Sequence, residues 1–89
     1  MSQKVFMAFQ DNDNARYLLE AIVKDNPEAE VQHSPAMIRI TAEKRLVINR
    51  ETMEETLGRD WEVQEMLLEV ISIGGNVDED DDHFIVSWS

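Results

Sequence analysis

Hydrophobic and polar residues follow two different periods along this chain, which predict short strands and short helices. Residues 4–9 are a short apolar run bounded by the polar residues 11–14, a pattern typical of a strand that leads to a helix cap. We expect the helix that follows to end near Pro27, because proline lacks an amide hydrogen. Its apolar face is predicted from the spacing of Ala15, Leu18, Leu19, Ile22 and Val23.

The next segment alternates between apolar and polar residues with a period near two. Residues 29–33 are expected to be extended, and Ser34-Pro35 marks a turn. Residues 37–42 and 45–49 both show the alternation and are separated only by Glu43 and Lys44. We therefore predict that these two strands pair with each other as a hairpin.

Helix signals return in the second half of the chain. Thr52 and Glu55 have the spacing of a capping box, and Gly58 is expected to close the short helix that they begin. Asp60 can cap a second helix. The inward face of that helix is predicted to contain Val63, Met66, Leu67 and Val70, while Glu62, Glu65 and Glu69 face water.

The end of the chain combines turn residues with a last strand pattern. Residues 71–77 are predicted to be extended or turn-like around Gly74 and Gly75, and residues 78–82 to form a solvated acidic loop. The final strand is predicted to alternate Phe84, Val86 and Trp88 with Ile85 and Ser87. The order β-α-β-β-β-α-α-β-β predicts one α+β domain over residues 1–89, with a mostly antiparallel sheet packed against helices.

Composition narrows the class of protein. With 43% hydrophobic residues, three glycines and two prolines, the chain has the composition of an ordinary globular protein. The absence of cysteine excludes disulfides and thiolate metal sites and fits a reducing cytoplasm. No apolar run approaches the roughly 18 residues that a membrane span needs. The sequence therefore predicts a soluble, cytoplasmic protein that does not bind membranes.

Charge is distributed unevenly along the chain. Residues 1–50 carry seven acidic and seven basic residues, whereas residues 51–89 carry twelve acidic residues and only Arg59 as a base. The second part thus holds the whole net charge of −11. Such a field repels nucleic acid and would speed docking on a basic protein surface. The alternative is that the acids only keep a small domain soluble.

The sequence contains no complete catalytic or metal-binding pattern. Asp78, Asp80 and Asp82 match the first ligands of a calcium loop, but His83 replaces the required glycine and Ser89 the bidentate glutamate. Neither histidine has a partner at metal-ligand spacing, and the double glycine has no phosphate-loop lysine. No cofactor is predicted. The aromatic residues suit core packing better than ligand stacking: Phe6, Phe9, Trp61, Phe84 and Trp88.

Several segments resemble one known family. They are Thr-Leu-Gly-Arg-Asp-Trp-Glu-Val at 56–63, Leu-Glu-Val at 68–70 and Ser-Ile-Gly-Gly at 72–75, followed by Phe84; residues 11–17, 35–40 and 73–82 add to the match. In this order and at this chain length they resemble the small effector proteins of bacterial multicomponent monooxygenases. The phenol hydroxylase member is the most similar. The resemblance covers nearly the whole chain.

The resemblance implies a non-catalytic protein without a cofactor. Effectors of this family bind the large subunit of a carboxylate-bridged di-iron hydroxylase, where they control substrate entry and couple reduction to oxygen activation. The resemblance leaves open whether this chain competes with the reductase component for the hydroxylase. By the resemblance, the partner-binding residues are expected at the double-glycine turn and in the acidic segment: Ser72, Ile73, Gly74, Gly75, Asn76, Asp78 and Asp80.

Alternatives stay open at each of these positions. Gly74 and Gly75 can simply form a bulge or bend, and the acidic segment can be an idle solvated loop. Arg59 is expected to form an intramolecular salt bridge rather than an interface contact. For the whole chain, the rival classes are a generic acidic adaptor with another partner and a small enzyme or metal carrier.

Overall fold

The computed structural model describes residues 4–88, which form seven strands and three helices, one strand more than predicted. The α+β class with antiparallel pairing is confirmed. In chain order the elements are β1 (Val5–Gln10), α1 (Asp13–Asp25), β2 (Glu30–Ser34), β3 (Met37–Ala42), β4 (Arg45–Asn49), α2 (Arg50–Leu57), α3 (Val63–Met66), β5 (Val70–Gly74), β6 (Asn76–Glu79) and β7 (His83–Ser87).

The strands form two sheets, and the predicted β3–β4 hairpin is wrong. Sheet A has the order β2-β3-β1-β5 and sheet B the order β4-β7-β6. β3 pairs with β1 and β2, so that Ile38 lies opposite Phe9, whereas β4 pairs with β7, so that Leu46 lies opposite Val86. The physical reason is burial: each strand finds apolar partners far along the chain, and residues 43–44 connect the two sheets.

Helix α1 closes the core and forms as its sequence predicts. The Asn12 side-chain oxygen caps it by accepting a hydrogen bond from the Ala15 amide at 2.8 Å. At the other end, the Asn26 side chain donates to the Ile22 and Val47 carbonyls and accepts from the Val47 amide. The predicted stop near Pro27 is confirmed, and α1 is joined there to β4.

Helix α2 begins earlier than its capping-box pattern predicts. The helix starts at Arg50, and the Thr52 hydroxyl donates to the Asp25 carboxylate at 3.0 Å instead of capping the helix. This tertiary contact with the end of α1 replaces the local one. The predicted end is confirmed, since Gly58 adopts the left-handed conformation with φ +72°.

The predicted second helix is only one turn long. Helix α3 is preceded by Glu62 rather than Asp60, and the Glu65 carboxylate accepts from the Glu62 amide at 2.9 Å. Val63 and Met66 are buried as predicted. Leu67 is exposed, so its predicted inward position is wrong, and Val70 starts strand β5. The helical period therefore ends where β5 begins to pair with β1.

The core lies between the two sheets and the helices. Phe9, Trp61 and Phe84 are buried, as predicted, whereas Phe6 is half-buried and Trp88 is 46% exposed. The predicted core position of Trp88 is thus wrong; its indole nitrogen donates to the Lys4 carbonyl at the end of sheet A.

Trp61 is held in the core through its backbone. The Glu54 carboxylate accepts a hydrogen bond from the Trp61 amide at 2.9 Å and lies 3.4 Å from the Arg50 side chain. The hydrogen bond to Trp61 lowers the pKa of Glu54 below its ordinary value, and the charge of Arg50 lowers it further.

Candidate docking surface

Six of the seven expected partner-binding residues lie along one extended segment that passes from sheet A to sheet B, and the seventh, Asp80, lies in the turn after it. Strand β5 is an edge strand of sheet A and β6 an edge strand of sheet B, and only Gly75 separates them. We call residues 70–79 the crossing segment. Because both halves are edge strands, one side of each half has no neighbouring strand in its sheet.

Gly75 forms the corner at which the crossing segment changes sheets. Its φ is +150°, a value that side chains disfavour. A Cβ atom there would lie 2.6 Å from Val86 Cγ1 in β7 and 3.2 Å from Val5 Cγ1 in β1. Corners of this kind need a local bend, and glycine provides both the bend and the space. Gly75 therefore bends the chain at the point where it passes from sheet A to sheet B.

Gly74 has a different intramolecular role. A Cβ atom at Gly74 would overlap the ring of Phe6, its cross-strand partner on β1. The guanidinium carbon of Arg39 on β3 lies 4.0 Å from the centroid of the same ring. Arg39, Phe6 and Gly74 thus form a stack across three strands. The absence of a side chain at position 74 allows this aromatic ring to lie over the edge strand.

A β-bulge precedes the glycines. Ala8 pairs with Ser72 and Phe9 with Val70, so Ile71 is the extra residue on β5. Val70 and Ile73 both pack against the core although they are three residues apart. In a regular strand they would face opposite sides. The bulge therefore turns both inward and leaves two consecutive residues, Ile71 and Ser72, exposed.

The acidic part of the segment is more ordered than predicted. Asp78 and Glu79 belong to β6 and pair with Ile85 and Phe84, so the expectation of a loop over 78–82 is wrong for these two residues. Aspartate and, to a lesser degree, glutamate are disfavoured in strands by propensity. Pairing with the half-buried strand β7 overrides that preference here. Residues 80–82 form the turn that joins β6 to β7.

Asp80 holds this turn through its own side chain. Its carboxylate accepts hydrogen bonds from the backbone amides of Asp82 at 2.8 Å and His83 at 2.7 Å, and lies 3.3 Å from the His83 ring nitrogen Nδ1. These backbone hydrogen bonds lower the pKa of Asp80 below its ordinary value. In the same turn, the Asp82 carboxylate lies 3.9 Å from the guanidinium of Arg50.

The structure brings the predicted site residues onto one line but exposes them unequally. Gly74, Gly75 and Ile73 are half-buried, and the other four members of the set are exposed: Ser72, Asn76, Asp78 and Asp80. Sequence reasoning missed Leu67, Leu68 and Ile71, which are exposed beside them. Leu68 is apolar but does not belong to the predicted inward face of the helix. An apolar residue outside that face was the sequence signal for an exposed apolar side chain.

Other predicted features are distributed around this surface. The predicted intramolecular salt bridge of Arg59 is confirmed, since its guanidinium lies 3.2 Å from the Glu65 carboxylate. A cavity of about 680 Å³, lined mostly by polar residues such as Asp25 and Lys44, contains none of the predicted docking residues. Within residues 4–88, no cluster of metal-binding side chains occurs, and no helix has the length and apolar character needed to cross a membrane.

Comparison with known proteins identifies the family. A model of the MmoB/DmpM family matches residues 3–87. The chain belongs to the MmoB/DmpM family. It is 72% identical over 88 residues to the phenol 2-monooxygenase stimulatory component DmpM of Pseudomonas sp. strain CF600, covering 99% of this chain and 98% of that protein.

Solved structures agree with this membership of the MmoB/DmpM family. Two chains from structures of a phenol hydroxylase–regulatory protein complex are 76% and 73% identical, with TM-scores of 0.95 and 0.91. They cover 98% and 97% of this chain, and each is matched over its full length. The soluble methane monooxygenase regulatory protein B shares the fold at 19% identity, with a TM-score of 0.75 over 67% of its length.

Proposed function

We propose that this protein is the regulatory component of a multicomponent phenol monooxygenase. It binds the large subunit of a di-iron hydroxylase, carries no cofactor and catalyses no reaction alone. One observation carries the proposal: over nearly the whole chain, the protein is 76% identical to a regulatory chain from a phenol hydroxylase complex, with a TM-score of 0.95. At this similarity the surface as well as the fold is largely shared.

Regulation without chemistry requires a difference in binding free energy. A ligand shifts the equilibrium between two states of its partner only if it binds one state more tightly than the other. In this proposal, the protein favours the hydroxylase conformation in which substrate entry and reduction are coupled to oxygen activation. Binding both conformations equally would leave turnover unchanged, however tight the complex.

The docking surface in this proposal is the crossing segment. Ser72, Ile73, Asn76 and Asp78 lie along its length, Asp80 follows it, and the two glycines set its course. Asp78, exposed on β6, supplies negative charge for electrostatic steering towards a basic rim. Asp80 contributes mainly by holding the β6–β7 turn in place. The proposal treats residues 1–89 as one regulatory domain that acts in the cytoplasm.

The test is a reconstituted oxygenase assay. Purified phenol hydroxylase and its reductase are mixed with increasing amounts of this protein, and NADH consumption is compared with the hydroxylated product formed. The proposal predicts that the rate of hydroxylation rises and that the product formed per NADH approaches one at saturation. The isolated protein should neither consume NADH nor form product.

Two results would contradict the proposal. Hydroxylation that is insensitive to the protein at every concentration would favour a generic adaptor with a different partner. Turnover by the isolated chain would favour a small enzyme. Bovine serum albumin at the same concentration controls for nonspecific stabilisation of the hydroxylase.

A further inference from the structure

We propose that three exposed apolar side chains, Leu67, Leu68 and Ile71, form the hydrophobic centre of the surface that docks on the hydroxylase. We call them the apolar patch. They are 42%, 77% and 52% exposed, respectively, although the chain can bury eighteen other side chains in one apolar cluster. The inference rests on the proposed function and adds to it the residues that carry most of the binding free energy.

The backbone holds the two leucines outward. After α3 the chain makes a turn in which the amides of Leu67, Leu68 and Glu69 donate to the carbonyls of residues 64, 65 and 66 at 3.0–3.3 Å. The Glu69 carbonyl then accepts from the Gln10 amide at 2.9 Å. Because Met66 is fully buried, the turn is anchored on both sides. Exposed apolar groups on an anchored backbone are preorganised for binding, since little ordering entropy remains to be lost.

The bulge on β5 sets the third member of the patch. Without the extra residue, either Val70 or Ile73 would have to leave the core, because the two are an odd number of positions apart. With it, Ile71 faces solvent two residues after the leucine turn. Bulges that re-aim a side chain are common beside functional sites. The strand is thus built so that burying its inner residues exposes an isoleucine.

Two acids beside the patch accept hydrogen bonds from other side chains of the protein. The Glu65 carboxylate accepts from Arg59 at 3.2 Å, and the Glu69 carboxylate accepts from the Asn12 side-chain amide at 2.6 Å. Asp78 in the crossing segment and Asp81 in the turn after it are exposed, and within residues 4–88 the structure gives them no ion pair. The acids beside the patch are thus held within the fold, whereas Asp78 and Asp81 extend the negative charge of the protein into solvent.

The spacing of the apolar patch and the exposed acids indicates what kind of partner surface fits them. Ile71 and Asp78 are seven positions apart in the chain, a span of at most about 23 Å. A typical interface of about 800 Å² per partner is roughly 30 Å across and can cover both. The geometry fits a hydroxylase surface with an apolar depression for the patch and basic side chains opposite the acids. An apolar centre with a charged rim is the usual anatomy of a specific interface.

The test compares binding of two variants to the purified phenol hydroxylase by isothermal titration. The first, Leu68→Ser with Ile71→Thr, removes the apolar groups and keeps residues that suit a turn and a strand. The matched control is Val31→Thr, an exposed apolar residue (37%) on β2, the opposite edge of sheet A. We expect the double variant to bind at least tenfold more weakly and the control to bind within twofold of the wild type. Circular dichroism and urea unfolding should show that both variants remain folded with unchanged midpoints.

Hydrogen–deuterium exchange of the wild type provides a second readout that needs no substitution. Addition of hydroxylase should slow exchange in residues 67–72 and leave residues 30–34 unchanged. Unchanged exchange in residues 67–72 would overturn the inference even if the double variant binds weakly.

The remaining outcomes separate this inference from the proposed function. If the wild type binds and the double variant binds equally well, the patch is not the docking centre and the proposed function stands. If the control weakens binding as much as the double variant, the patch has no special role. If the wild type does not bind at all, both proposals fail. If the free protein is a dimer that the double variant dissociates while hydroxylase affinity is unchanged, the patch covers a second copy instead.

Discussion

The two halves of the crossing segment have the same backbone conformation but opposite surroundings. In β5, Val70 and Ile73 pack against the core and Ile71 is the exposed apolar residue. In β6, all four residues are exposed and two of them are acidic. β5 is therefore bound into the fold by side-chain burial, whereas β6 is held mainly by its backbone pairing with β7 and by the Asp80 turn.

In the proposed function, this difference lets one segment combine stability with recognition. Burial of apolar side chains stabilises β5 by roughly 25 cal/mol for each Å² removed from water, while the one apolar side chain of β6, Val77, is 47% exposed. The acids of β6 are free to act at a distance, where charge affects the rate of encounter more than the strength of the complex. Gly75 separates the two roles at the corner between the sheets.

The largest effect is expected at that corner. Gly75→Ala should destabilise the protein by about 3 kcal/mol, because the new Cβ meets Val86 and Val5 while φ is unfavourable. The control is Gly58→Ala, where φ is +72° but no atom lies within 4 Å of the new Cβ. It should cost only about 1 kcal/mol, the price of the left-handed conformation alone. Equal losses in urea unfolding would contradict the role of Gly75 as a packed corner.

The next effect concerns the stack on β5. Gly74→Ala should cost about 2 kcal/mol, because the methyl group displaces the Phe6 ring from its position beneath Arg39. In the background of Phe6→Ala, the same change should cost less than about 0.5 kcal/mol, since neighbouring residues are energetically coupled. The measurement is a double-mutant cycle by urea unfolding. Additive losses would mean that position 74 is constrained by something other than this ring.

A smaller effect, on rate rather than stability, is expected from the acids of β6 and of the turn after it. Asp78→Asn with Asp81→Asn should slow association with the hydroxylase about fivefold at low ionic strength, while stability changes by less than about 0.5 kcal/mol. The control removes two charges from the neutral half of the chain, by Glu20→Gln with Glu28→Gln. Stopped-flow association rates of all three proteins should converge at high salt. Equal slowing by both pairs would mean that only net charge matters.

The smallest effect is a local dependence on pH. The hydrogen bonds from the Asp82 and His83 amides lower the pKa of Asp80, so its contribution to stability is complete above about pH 4, near the value for an unfolded aspartate. That contribution is lost as the pH falls through the lower, folded pKa. Amide NMR shifts of residues 82 and 83 should titrate with a midpoint below that of a free aspartate, while those of β5 should stay constant. A midpoint at or above the ordinary value would contradict this role of Asp80.

The parts of the fold that depend on local signals could be predicted from the sequence. Helix α1 formed as expected because its cap at Asn12, its apolar stripe and the stop before Pro27 all lie within fifteen residues. Gly58 was predictable as a helix end for the same reason. Elsewhere, contacts with residues distant in sequence replaced the interactions that the local patterns predicted. Thr52 could cap a helix, but its hydroxyl is used by Asp25, 27 residues earlier.

Strand pairing and the candidate surface were harder to predict because their causes are distant in sequence. The alternation in 37–42 and 45–49 predicted two strands correctly, but not that each pairs in a different sheet. The double glycine could be seen as special, yet its reasons are Phe6, Val5 and Val86, which the sequence does not place beside it. The apolar patch was missed because the helical period was extended past Met66 to Val70, which placed Leu67 on the inward face.

The most direct test of the central claim is the affinity of this protein for the two redox states of the hydroxylase. Titrations under anaerobic conditions would give one dissociation constant for the oxidised di-iron enzyme and one for the reduced enzyme. We expect the two constants to differ at least tenfold, equivalent to about 1.4 kcal/mol of coupling free energy. Equal constants would show that binding does not discriminate between these states, and would contradict a regulatory role in coupling reduction to oxygen activation.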